Sequence, residues 1–191
     1  MPNDQNLITR ESLEICILAG GLSARMGRDK SRLRLGRTTM LALVRDAAKA
    51  TGLKVRVIRH DLVRRCGPLG GIYSGLKTTK ADAVIFLACD MPFVTPEIID
   101  ELAGAAAMHP GRAVLLRAAD KVTFPILIPR SGLQTVTSQI KGGRFSLQSL
   151  GEYLPGKVIH ASGKWPPCLE NINTPADLER ARTRVSTLRR H

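Results

Sequence analysis

The chain has 191 residues, and 29 Lys and Arg against 16 Asp and Glu leave a formal charge of +13. An apolar content of 43% excludes a chain too polar to collapse, and the length suits one core rather than two large domains. The charge fits nucleic acid, an anionic membrane surface or phosphorylated small molecules, but 4% aromatics disfavours a binder that stacks single-stranded bases.

Residues 1–13 are polar and read as a loose lead-in, without the basic-then-apolar order of a signal peptide. A short buried strand over 14–19 runs straight into a glycine-rich turn. Apolar residues at Met40, Leu41, Leu43, Val44, Ala47 and Ala48 predict a helix over 38–50, stopped by Gly52. A strand over 53–58, a tight Gly/Pro loop over 67–71 and a short helix over 72–80 follow. The fully apolar run 83–89 is a second buried strand, and Thr95-Pro96-Glu97 opens a helix to about residue 108. Strands over 113–117 and 124–129 precede helices over 132–141 and 145–150, which Gly142-Gly143 separates. Short strands over 157–160 and 169–172 come before a basic helix opened by Thr174-Pro175-Ala176-Asp177. Strands alternating with helices predict an α/β protein with a mainly parallel central sheet flanked by helices, as one domain over 1–191.

Neither strongly apolar run, 15–19 or 83–89, approaches the ~20 residues that span a bilayer. The four cysteines, Cys16, Cys66, Cys89 and Cys168, form no CxxC pair, so a structural zinc site is poorly supported and a reducing cytoplasm is the simplest setting. Cys16 and Cys89 read as small buried hydrophobes. Cys66, beside Arg65, is either a loop cysteine without a role or a thiol whose pKa nearby charge lowers.

The most informative stretch is Leu18-Ala19-Gly20-Gly21-Leu22-Ser23-Ala24-Arg25-Met26-Gly27-Arg28-Asp29-Lys30. It leaves the first strand where open parallel sheets bind ligands. Its glycines let backbone N–H groups approach a phosphate, and Arg25 and Lys30 add positive charge. It is not a P-loop, because Gly21 and Gly27 are six apart and Lys30 lies three further on. It also lacks the GxGxxG of a dinucleotide fold.

This loop resembles the LAGGxSxRMGxDK signature of nucleotidyltransferases of the molybdenum cofactor guanylyltransferase family. Gly67-Pro68-Leu69-Gly70-Gly71 resembles the family's GPLxG loop, Cys89-Asp90-Met91-Pro92 its CDxP motif, and Asn171-Ile172-Asn173-Thr174-Pro175 its NxNTP motif. The four segments occur in the family's order across nearly the whole chain. The resemblance implies a Rossmann-like nucleotidyltransferase fold that, with Mg²⁺, joins GMP from GTP to molybdopterin cofactor and releases pyrophosphate. It also implies a cytoplasmic monomer with transient contacts to cofactor-delivery or acceptor proteins, and no membrane or nucleic acid partner.

The chemistry asks for positive charge and backbone donors, because both reactants are anionic. Gly20 and Gly21 offer backbone N–H groups, and Arg25 and Lys30 neutralise the triphosphate and the leaving pyrophosphate. By resemblance Leu18, Ala19, Gly20 and Lys30 bind the nucleotide. Asp90 ends an apolar strand, as a Mg²⁺ ligand would, although an Asp before Met-Pro also suits a plain turn. The family's CDxP aspartate is the metal ligand, which makes Arg25, Lys30 and Asp90 the expected catalytic set. Asp61 matches a family aspartate that contacts the nucleotide, or is a solvated loop acid, and Gly67 and Pro68 would shape the base pocket. Asn171, Asn173 and Arg144 resemble acceptor-side residues; the alternative is that Thr174 caps a helix and the asparagines shape its turn.

One departure stands out. The resemblance implies two strands with a helix between them from the first helix to GPLxG, whereas only 53–58 fits there. The segment that carries a family nucleotide-binding Asn has no counterpart, which bears on base selectivity. The readings that compete with guanylyl transfer are cytidylyl transfer to the same cofactor and nucleotide binding without catalysis. LAGG, the Asp29-Lys30 pair and NINTP lean to guanine, because cytidylyl relatives more often carry LAAG and DxDTP.

Overall fold

A computed structural model describes residues 8–20 and 33–188. Its elements are β1 (Leu13–Leu18), β2 (Arg34–Leu35), β3 (Thr38–Thr39), α1 (Met40–Ala50), β4 (Lys54–Ile58), α2 (Gly67–Thr78) and β5 (Ala83–Ala88). They continue with α3 (Pro96–Met108), β6 (Ala113–Ala118), β7 (Lys121–Pro129), α4 (Leu133–Lys141), α5 (Leu147–Tyr153), β8 (Gly156–His160) and α6 (Pro175–Leu188).

Six strands form one sheet in the order β4-β1-β5-β7-β6-β8. β1 lies parallel to both β4 and β5, and β6 lies parallel to β8. Only β7 runs against its neighbours β5 and β6. The central strands β1 and β5 are buried along five of their six residues, which is why they read as continuous apolar runs rather than alternating ones. From β1 the chain crosses through α1 to β4 on one side, then returns through α2 to β5 on the other. Right-handed crossovers in opposite directions put α1 and α2 on opposite faces. They also make the carboxyl ends of β1 and β5 a topological switch point, where such sheets bind ligands.

The sequence placed most elements; two of the boundaries that move do so for evident physical reasons, and one expected strand is absent. The expected 67–71 loop is the first turn of α2: Pro68 sits at the start, where a missing N–H costs nothing, and Gly67 takes φ +52°. The helix expected from residue 38 starts at Met40, because Thr39 is its cap and accepts from the Ala42 N–H. No strand forms over 169–172; a 3-10 turn, Pro166–Leu169, ends there and the chain continues irregularly. Between α1 and α2, where every residue is described, β4 is the one strand, as the sequence expected.

Residues 8–12, from the stretch read as lead-in, pack on the body: Ile8 is buried, and Arg10 donates to the Thr51 carbonyl and pairs with Asp100. A small second core holds α6 in place. Ile172, Leu178 and Ala181 meet Leu35 and Met40, with Phe93 and Val185 at the edge. Among the described residues no helix is long and apolar enough to cross a membrane.

Candidate active site

Three strand ends come together at the switch point. Beyond the last ladder residue of β1, the Ala19 N–H donates to the Ile58 carbonyl at 2.8 Å and the Cys89 N–H donates to the Leu18 carbonyl at 3.1 Å. Leu18 and Ala19 are therefore fixed on both flanks, and Gly20 leaves the sheet between the continuations of β4 and β5. Gly21, Arg25 and Lys30 lie outside the described residues.

Gly20 must be glycine here. A Cβ on it would stand 2.7 Å from the Arg59 carbonyl oxygen, a backbone atom that cannot swing away. The same Cβ would come 3.6 Å from Asp61 Oδ1, and one on Gly70 would come 2.9 Å from Asp61 Oδ2. The Asp61 carboxylate thus lies between the start of the glycine-rich loop and the first turns of α2. Burial pushes its pKa up from the ordinary carboxylate value, against a smaller downward pull from His60. Gly71 is tight for another reason: a Cβ would stand 2.9 Å from Leu18 Cδ2, so the paired glycines let α2 lie directly on the end of β1. Gly67 and Pro68 open α2, and a Cβ on Gly67 would meet the Phe145 carbonyl at 3.2 Å. The residue after Arg144 therefore sits against the GPLGG turn.

Asp90 follows β5 by two residues and is partly exposed. Its carbonyl accepts from the Ile172 N–H at 2.8 Å, which docks the Asn171-Ile172-Asn173 segment onto the Asp90 turn. Asn171 is exposed and Asn173 half-buried. The hydrogen bonds bear out the capping reading of this motif, in which Thr174 caps the helix. Thr174 and Asp177 form a reciprocal cap in which the Asp177 carboxylate accepts from the Asn173 and Thr174 N–H groups, at 2.9 and 2.8 Å. Thr174 Oγ1 accepts from the Asp177 N–H. These bonds, first the one from the Asn173 N–H, pull the Asp177 pKa down. The cap fixes the backbone of Asn173 beside Asp90.

Arg144 is held by residues that its own motif does not name. Gln139, 1% exposed, accepts from Arg144 Nε at 2.9 Å and from Ser149 Oγ at 2.8 Å. The guanidinium lies over the Tyr153 ring at 5.2 Å. Cys66 is buried at the start of α2 and donates to the Arg64 carbonyl at 3.3 Å, so it is a packed residue rather than a solvated loop thiol. Burial drives the Cys16 thiol up to about 12.

Sequence reasoning missed Ser74, Gln139 and the role of Asp177. Asp177 was legible as the fourth residue of a Thr-x-x-Asp capping pattern. Ser74 and Gln139 carry no local signal, because each acts on a residue brought near by the fold.

The sheet order, the glycine-rich exit from β1 and the aspartate after β5 define a nucleotidyltransferase of the α/β type. The sequence profile of the MobA-like NTP transferase domain matches residues 15–58 and 44–153, and the chain belongs to that family. It is 32% identical over 187 residues to a molybdenum cofactor guanylyltransferase of Syntrophotalea carbinolica, with 87% of this chain and 89% of that protein covered. Among solved structures, molybdopterin-guanine dinucleotide biosynthesis protein A from Archaeoglobus fulgidus superposes with a TM-score of 0.74 at 22% identity, over 91% of this chain and 99% of that one. A nucleotidyl transferase from Methanothermobacter thermautotroptrophicus superposes at 0.70 with 18% identity, over 92% and 98%.

Proposed function

We propose that this protein, as one nucleotidyltransferase domain, transfers GMP from GTP to molybdenum-molybdopterin cofactor and releases pyrophosphate. The carrying observation is the convergence of Gly20, Asp61 and Asp90 at the carboxyl ends of β1, β4 and β5. The name of the Syntrophotalea relative supports the same reading.

In this reading an oxygen of the acceptor's terminal phosphate attacks the α-phosphorus of GTP. A new phosphorus–oxygen bond forms, the bond from the α-phosphorus to the β-bridging oxygen breaks, and its electrons leave with pyrophosphate. The acceptor phosphate is already anionic, so no side chain has to remove a proton. Gly20 and Gly21 present backbone N–H groups to the triphosphate, and Arg25 and Lys30 offset the charge that builds on the leaving pyrophosphate. Asp61 accepts hydrogen bonds from the nucleoside, with Gly67 and Pro68 beside it. Arg144, Asn171 and Asn173 receive the acceptor.

The donor set fits Mg²⁺, a hard ion that usually takes one or two carboxylates and leaves its other positions to phosphates and water. Among the described residues no group of three His, Cys, Asp or Glu gathers into a closed metal cage, and Asp90 brings a single carboxylate two residues beyond the end of β5. Asp90 would hold the ion, which when bound supplies charge neutralisation and alignment for the phosphates.

The test is pyrophosphate release with molybdopterin cofactor and Mg²⁺, with GTP and CTP supplied singly and in competition. Preferred use of GTP, with the guanine dinucleotide as product, is the expected result. Preferred incorporation of CMP would move the assignment to cytidylyl transfer. Nucleotide binding without product would make the protein a non-catalytic nucleotide binder.

A further inference from the structure

Ser74 stands in the middle of α2, 3% exposed, on the face turned toward the loop between β4 and α2. Its hydroxyl donates to the Gly70 carbonyl at 2.7 Å. That direction is forced, because the same oxygen accepts from the Leu62 N–H at 2.8 Å. An N–H can only donate, so the hydroxyl proton is left for Gly70. A helical serine commonly makes the first bond alone. The second bond reaches 12 residues back, to a chain segment outside the helix.

The Leu62 N–H belongs to the peptide plane that closes Asp61, so holding that N–H fixes ψ of Asp61. On the other side, the Arg59 carbonyl rests against Gly20. The segment that carries Asp61 is therefore held at Arg59 against the exit of β1 and at Leu62 by the buried hydroxyl of α2. The Asp61 carboxylate lies between Gly20 and Gly70. A burial-raised pKa agrees with a carboxylate partly withdrawn from water.

We infer that Ser74 is a positioning residue of the nucleotide site, acting through Asp61 rather than on the nucleotide. It ties the loop that carries Asp61 to the helix that carries Gly70 and Gly71. The carboxylate thereby stands between Gly20 and Gly70 before ligand arrives. This rests on the proposed role of Asp61 in binding the nucleotide.

The experiment is steady-state kinetics with varied GTP for the unsubstituted protein, Ser74→Ala, Ser74→Thr, Asp61→Ala and the Ser74→Ala/Asp61→Ala pair, with thermal melting of each. Ser74→Ala is expected to raise KM for GTP about tenfold and leave kcat within about twofold, because misplacing a binding group weakens binding without touching the reacting atoms. Ser74→Thr keeps the hydroxyl and is expected to restore KM to within about twofold. In the Asp61→Ala background the alanine at 74 is expected to add almost nothing, since residues that act through one another are not additive. If the alanine protein does not fold, Ser74→Cys fills the same space with a weaker donor and acceptor and carries the same comparison. An unchanged KM, or an equal rise with and without Asp61, overturns the inference. Absence of GTP turnover and binding in the unsubstituted protein overturns the proposed function instead, and this inference with it.

Discussion

The two sides of the site are held by different means. On the proposed nucleotide side, Leu18, Ala19 and Gly20 are fixed by backbone hydrogen bonds to the strands on either flank and by close contact with the Arg59 carbonyl. On the proposed acceptor side, Arg144 is held by the amide of Gln139, and Asn173 by the carboxylate of Asp177. The turn after Asp90 is held there too: the Arg184 guanidinium lies 4.0 Å from the Phe93 ring centre and donates to the Pro167 carbonyl at 2.6 Å. Backbone ladders cannot be removed by changing one side chain. Single polar anchors can. The exit of β1 should therefore fail by losing a chemical group or by gaining bulk at a glycine, whereas Asp61, anchored through Ser74, and the opposite side with Arg144 and Asn173 should fail by graded loosening.

The largest expected effect is at the junction of the two sides. Asp90→Ala should lower kcat by at least about a hundredfold, equivalent to several kcal/mol of lost transition-state stabilisation. Its melting temperature should stay close to that of the unsubstituted protein. The link from Asp90 to Ile172 uses the backbone carbonyl, which alanine keeps. Kinetics paired with a melting curve decide the matter: retained turnover would remove Asp90 from the chemistry, and a collapsed melting curve would make it a structural residue.

A middle-sized effect separates the two sides directly. Gln139→Ala removes the acceptor for both Arg144 Nε and Ser149 Oγ, and leaves those donors without it. Stability should fall by about 1–3 kcal/mol, and KM for the molybdopterin acceptor should rise roughly tenfold while KM for GTP stays put. Equal rises in both KM values would mean that the two sides are not independently held, and would break the comparison.

What could be read from the sequence follows the same division. β1 and β5 were legible because strands buried on both faces are apolar along their whole length. The glycine-rich exit was legible because paired glycines straight after a buried strand are a recognisable local pattern. Residues 67–71 looked like a loop because glycine and proline are poor helix formers. Here Gly70 and Gly71 are selected by the close approach of Asp61 and Leu18, a tertiary demand that overrides propensity. The turn between β6 and β7 carried no glycine signal: Ala119 and Asp120 take φ of +47° and +60° without one. The antiparallel setting of β7 was therefore not foreseen. Asp61 was a weak candidate in sequence because its neighbours say nothing. Its place depends on Gly20, Gly70 and Ser74, which only the fold brings to it. The basic excess of the last helix also changes meaning. Arg180 pairs with Asp177, Arg182 with Glu179, and Arg184 packs on Phe93, so these three charges are engaged in building α6 and its docking.

The smallest expected effect tests the acceptor-side cap. Asp177→Ala removes the side-chain acceptor for two N–H groups at the start of α6, and a lost cap costs about 1 kcal/mol. For a chain of this size that corresponds to roughly 2–4 °C in melting temperature. Backbone hydrogen bonding, led by the Asn173 N–H, lowers the folded-state pKa of Asp177. Its stabilisation is therefore present above the unfolded-state carboxylate pKa and is lost as pH falls through the lowered folded-state value. The melting-temperature gap between the unsubstituted protein and Asp177→Ala should be full at neutral pH and close as the solution is acidified below the ordinary carboxylate range. A gap that stays constant down to that range would mean that the side chain holds α6 by packing rather than by its charge. The graded, side-chain-based hold on Asn173 would then have to be reassigned to the Ile172 and Leu178 contacts of the second core.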